Sequence, residues 1–166
     1  MNGTTLVLRV LHHGEQHLAG ELRLVADRHG TDHEVHHVAT DLARWSEEHA
    51  LRVVQAARDQ GLDLHDSSGT GSGVLAELRR KAAEAVGHRA EPGLLLMRDL
   101  RALHLYATEN SLYWEMLAQV AQATRNEALL TLTLTLASDC HPQTLRQIRW
   151  TNTMIKNLSP QILASL

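Results

Sequence analysis

The chain repeats itself, and the repeat limits its possible folds more than any other feature. Leu8-Arg9-Val10-Leu11-His12 returns as Leu100-Arg101-Ala102-Leu103-His104, an offset of 92 positions from Leu8 to Leu100. A second signal follows each copy, Ser46-x-x-His49 and then Ser138-x-x-His141. From His12 to His49 and from His104 to His141 the distance is 37 residues in both cases. Self-similarity at a fixed period marks a repeated supersecondary unit. Apolar residues spaced by three and four around both copies make that unit a helical hairpin with one histidine on each helix.

Along the chain, Leu8, Leu11, Leu18, Leu22, Val25 and Ala26 predict a first helix over 4–29, ended by Gly30 as a left-handed C′ glycine. Thr31 or Asp32 can cap a second helix over 32–60, and so short a join makes the two helices antiparallel neighbours. The second helix sets Val35, Ala39, Leu42, Ser46, His49 and Val53 on one face. His49 therefore points inward, and His37 falls nearly opposite. Residues 61–92 form a long crossover, with a Gly/Ser-rich flexible linker over 66–73 and a short amphipathic helix over 74–87. A connection of that length lets a third helix, over 93–123, run parallel to the second.

The third helix is apolar on two faces, one with Leu96, Leu100, Leu103 and Trp114, the other with Leu105, Leu112, Tyr113, Met116 and Val120. The second face predicts a homodimer through this helix. A fourth helix over 126–158 carries the stripe Leu130, Leu134, Ala137, His141, Leu145, Ile148 and Ile155 through Pro142, which sets His141 inward, and Ser159-Pro160 closes it. The expectation is an all-α four-helix bundle, a single domain over 1–166.

Charge and composition narrow the function. The 16 basic and 19 acidic side chains are mixed along the chain, so there is no basic field to hold nucleic acid. Arg9 interrupts the only short apolar run near the N-terminus, so neither a signal peptide nor a membrane partner is expected. A single cysteine, Cys140, fits a reducing compartment and a cytoplasmic location. No nucleophile, base and orienter stand at recognised spacing, and Gly69-x-Gly71-x-Gly73 has no strand before it to make a phosphate loop. The outlier is histidine, at 12 residues dispersed along the chain.

Two helical hairpins joined by a long crossover, with a polar residue on each first helix and an x-x-His on each second, resemble the ferritin-like superfamily over residues 4–158. In that family each hairpin supplies one Glu from its first helix and a Glu-x-x-His from its second, and together these bind two iron or manganese ions at mid-bundle. Here His49 and His141 match the second-helix histidines. His12 and His104 stand where the first-helix Glu belongs, and Ser46 and Ser138 replace the Glu of Glu-x-x-His. Without bridging carboxylates a di-iron centre is not expected.

The resemblance, with these replacements, implies a His-rich mid-bundle site for one transition-metal ion (zinc, iron, copper, nickel or manganese). Its ligands would be His12, His49, His104 and His141. Glu15, one turn beyond His12, would be a direct ligand or the partner of an imidazole N–H, and a small oxidoreductase is one activity such a site allows. The other reading is a metal-free bundle acting as a homodimeric structural or interaction module. In it the imidazoles link helices by hydrogen bonds, with Ser46 and Ser138 as partners.

Overall fold

The computed structural model describes residues 3–62, 64 and 91–166. These residues form four helices, α1 (Gly3–Arg28), α2 (His33–Asp59), α3 (Pro92–Ala123) and α4 (Glu127–Leu163), with no strand among them. The expected linker at 66–73 and short helix at 74–87 lie outside the described residues.

Local chemistry sets most of the ends. Asp32 caps α2 by accepting from the Val35 N–H at 3.1 Å, and Asn126 caps α4 by accepting from the Leu129 N–H at 3.1 Å. Glu91 does the same for Leu94 at 3.2 Å ahead of Pro92, whose missing N–H costs nothing in a first turn. Gly61, at φ 69°, lets its own N–H and that of Leu62 reach the Arg58 and Ala57 carbonyls at 2.8 and 2.9 Å, which closes α2.

Two expected ends differ. Gly30 does not take the left-handed conformation, because a turn from the Asp32 N–H to the His29 carbonyl already closes α1. The last helix runs on through Pro160 to Leu163, since a proline in a final turn removes only one backbone hydrogen bond.

All four helices bury a stripe that advances alternately by four and three residues. In α1 it is Thr4, Leu8, Leu11, Glu15, Leu18, Leu22 and Val25, and in α2 Val35, Ala39, Leu42, Ser46, His49, Val53 and Ala56. In α3 it is Leu96, Leu100, Leu103, Ala107, Asn110, Trp114, Leu117 and Ala121, and in α4 Thr133, Ala137, Cys140, Thr144, Gln147, Thr151 and Met154. That spacing is the seam of bundles whose helices pack nearly parallel or antiparallel.

Side-chain contacts give the directions. Arg23 meets Glu47 and His36 meets the Ala26 carbonyl, so α1 and α2 are antiparallel. Arg28 meets Asp99 and His17 meets Tyr106, so α1 and α3 are antiparallel as well. His104 with Thr151 and Ser111 with His141 run α3 against α4, while Arg52 with Asp139 and Ser46 with Gln147 run α2 against α4. Thus α2 and α3 point the same way, and Asp59 and Pro92 lie at opposite ends of the bundle.

The α4 stripe corrects an expectation. Its inward line is one residue away from the Leu134, His141, Ile148 and Ile155 line read from hydrophobicity, so those four side chains are only half-buried and Leu145 is exposed. The inward positions carry mainly Thr, Ala, Cys and Gln, and a purely apolar count misses them.

Candidate functional site: a buried polar layer

The apolar core is in two parts, and a polar layer separates them at one level. Glu15 lies between Leu11 and Leu18 on α1, and Ser46 and His49 lie between Ala43 and Val53 on α2. Asn110 and Ser111 lie between Ala107 and Trp114 on α3, and Thr144 and Gln147 lie between Cys140 and Met154 on α4. In each case the first and second flanking residues belong to different parts of the core.

Glu15 is the centre of this layer, 0% exposed, and its Oε1 accepts the indole N–H of Trp114 at 2.9 Å. Its Oε2 faces Nδ1 of His49, 1% exposed, at 3.4 Å. On the other side of the imidazole, Nε2 lies 2.7 Å from Oε1 of Gln143, which can only accept, so this nitrogen carries the proton. The imidazole stands edge-on to the Trp114 ring at 5.8 Å and 83°. Gln147 completes the layer by donating its amide to the Ser46 hydroxyl at 2.9 Å and to the Leu42 carbonyl at 3.1 Å.

Four buried side-chain atoms of this layer have no hydrogen-bond partner: Glu15 Oε2, His49 Nδ1, Asn110 Nδ2 and Gln147 Oε1. The first two face each other, and a carboxylate oxygen cannot rest stably against an imidazole lone pair inside a core. A hydrogen-bonding proton or a cation has to lie between them.

The five expected ligands are therefore not brought together. Glu15 and His49 meet. His12 is buried on α1 and contributes to an outer groove of about 900 Å³ that runs along α1 and α2 past Gln16, Arg23, Glu47 and Leu51. His104 is half-buried, with Nδ1 2.9 Å from the Thr151 hydroxyl, and His141 is half-buried, with Nε2 2.8 Å from the Ser111 hydroxyl. Among the described residues no group of three or more His, Cys, Asp or Glu side chains is arranged to hold a metal ion.

The serines expected as imidazole partners do other work. Ser46 accepts from Gln147, and Ser138 is exposed and donates to the Thr135 carbonyl. The imidazole partners are instead Gln143, Ser111 and Thr151. Of these, Thr151 lies on the inward line of α4 and could have been found from the sequence had the α4 phase been read one residue earlier.

A second polar cluster, also absent from the sequence reading, ties the end of α1 to α3. Buried Asp99 accepts from Arg28 at 2.6 Å and lies 2.9 Å from His29 Nε2, and Arg98 adds a third contact at 2.9 Å. Burial pushes the Asp99 carboxyl up, but the hydrogen bonds from His29, Arg28 and Arg98 together outweigh it and hold the group below its ordinary value. Cys140, at the edge of the polar layer, has its thiol pushed up to about 12 by burial, against a smaller opposing pull from Arg52. It is a packed thiol and not a nucleophile.

Among the described residues no helix is long and apolar enough to cross a membrane. Comparison with protein-family models, curated proteins and solved structures finds no match to the chain.

Proposed function

We propose that the chain is a ferritin-like helical frame that works through its surface, as a homodimeric interaction module docking along α3, in the cytoplasm. Support for the frame is the direction of the helices, two antiparallel hairpins with α2 and α3 pointing the same way. The single Cys140 thiol supports a reducing compartment.

The observation that carries the module reading is the outer face of α3. Leu105, Leu112 and Met116 are 49%, 51% and 49% exposed and lie within about 20° of one line on the helix. They stand opposite Ala107, Trp114 and Leu117, which the same helix buries. Single exposed leucines are ordinary, but an aligned row on a helix whose other face is already in the core marks an association surface. Sedimentation velocity across a wide concentration range tests the reading. Reversible dimerisation that Leu105→Glu abolishes is the expected result, and a monomer at every concentration refutes it.

A second reading has its own observation, the facing acceptors of Glu15 and His49. Two ligand atoms bound to one tetrahedral ion at about 2.0–2.1 Å stand roughly 3.4 Å apart, and the Oε2 to Nδ1 distance is 3.4 Å. Only two protein ligands meet here, so such an ion would need further donors from water. Elemental analysis of protein purified without a chelating column tests it. A transition metal near one equivalent, lost in Glu15→Gln, supports the ion, and a metal content far below one equivalent removes it.

A further inference from the structure

We propose that two copies of the chain dock antiparallel along α3, related by a two-fold axis that passes near Thr108. The inference rests on the reading of α3 as a self-association face and adds the orientation, which charge selects. The outer line of α3 reads Arg101, Leu105, Glu109, Leu112, Met116, with Glu115 on its flank, and Arg101, Glu109 and Glu115 are all exposed. Arg101 lies on the N-terminal side of the apolar pair and Glu115 on its C-terminal side, while Glu109 lies between the two leucines near the axis, where it meets its own mate in either orientation and so does not choose between them.

The positions are balanced about one point. Arg101 and Glu115 each stand seven residues from Thr108, and Leu105 and Leu112 flank the step from Thr108 to Glu109 almost evenly. An antiparallel pair centred there sets Leu105 of one copy against Leu112 of the other, twice, and brings Arg101 to the acidic half of its mate, twice. A two-fold contact is self-complementary in this way. A parallel pair would set Arg101 beside Arg101 and Glu115 beside Glu115, like charges that disfavour association.

Among the described residues neither Arg101 nor Glu115 makes a side-chain hydrogen bond or ion pair. Arg98, by contrast, is bonded to Asp99, and Glu109 accepts from the Tyr113 hydroxyl at 2.9 Å. Arg101 and Glu115 are therefore the pair to change. Three half-exposed apolar side chains on each copy are a small surface, so the expected dimer is weak and reversible rather than obligate.

The test uses the full chain at low ionic strength, where exposed charges are least screened. Arg101→Glu and Glu115→Arg each turn two attractions into repulsions, and each is expected to weaken the dimer by about tenfold. The double swap R101E/E115R is expected to recover self-association within about threefold of the original. It should also refuse to pair with the original chain, because a mixed antiparallel dimer sets Arg against Arg and Glu against Glu.

Thermal melts of all variants should match the original chain, since both positions are exposed. Mixed dimers forming as readily as self-pairs, or single variants that leave the affinity unchanged, overturn the antiparallel orientation while leaving a dimer in place. An original chain that is monomeric throughout refutes the module reading itself.

Discussion

The Glu15 carboxylate can be separated into a hydrogen-bond acceptor and a charge by two substitutions of similar size. In Glu15→Gln the side-chain oxygen still accepts the Trp114 indole N–H, now at 2.9 Å, and the amide N–H donates to His49 Nδ1. His49 keeps its proton on Nε2 for Gln143, so every polar atom along this line has a partner and no charge is buried. The expected cost is within about 1 kcal/mol, since a satisfied neutral pair does as well as a desolvated ion pair. In Glu15→Leu the indole N–H has no acceptor in a core where Trp114 is 0% exposed. One stranded donor costs about 1–3 kcal/mol, to which the loss of the His49 partner adds, so roughly 2–4 kcal/mol is expected.

For a chain of this size each kcal/mol is worth about 2–4 °C, so Glu15→Leu should melt roughly 4–16 °C lower and Glu15→Gln within about 4 °C of the original. Urea denaturation followed by circular dichroism gives the free energies directly. If Glu15→Gln costs as much as Glu15→Leu, the charge itself is required and the hydrogen-bond account is wrong. A Glu15→Leu protein as stable as the original would show that the layer contributes nothing.

Three further outcomes follow from the same geometry. Cys140, fully buried with its thiol pushed up to about 12 by burial, should resist a thiol reagent at neutral pH until the chain unfolds; stoichiometric labelling of the native protein within seconds would refute this. The contribution of Asp99 should be complete above the ordinary carboxylate value of about 4 and fade as pH falls through the lower folded value, because protonation of a depressed carboxyl favours the unfolded chain. Urea midpoints of the original and Asp99→Asn should therefore differ at neutral pH and converge in acid, and a gap independent of pH removes the ion-pair account. Gly14→Ala, which in an open helix would gain about 1 kcal/mol, should destabilise instead, since a Cβ there would lie 2.2 Å from buried Asn110 Oδ1. In an Asn110→Ala background the sign should reverse, and a Gly14→Ala that stabilises both backgrounds refutes the contact.

The helices were legible because their starts and stops are chemical: Asp32 and Asn126 are good caps, Gly61 takes the left-handed turn, and apolar residues return at three and four. Glu15 and His49 were legible as well, as polar residues set inside apolar stripes. What the sequence hid is the phase of α4. The first-helix halves of the repeat keep their offset of 92, since Leu8, Leu11 and Glu15 share the inward face of α1 as Leu100, Leu103 and Ala107 share that of α3. The second-helix halves do not. Ser46 and His49 face inward on α2, whereas on α4 the residues facing inward are Ala137 and Cys140, one position before Ser138 and His141.

One residue on a helix is about 100°, which turns a ligand candidate into a flank residue that bonds the nearest hydroxyl, as His141 does with Ser111. Identity between the two copies carries no information about that rotation. Hydrophobicity points the wrong way on α4, because the inward line is Thr, Cys and Gln while Ile148 and Ile155 pack along its edge. The deciding constraint is instead a layer that exists only across helices. Gln147 on α4 has to face Ser46 and the Leu42 carbonyl on α2, and turning α4 to bring His141 inward would strand that amide in the core.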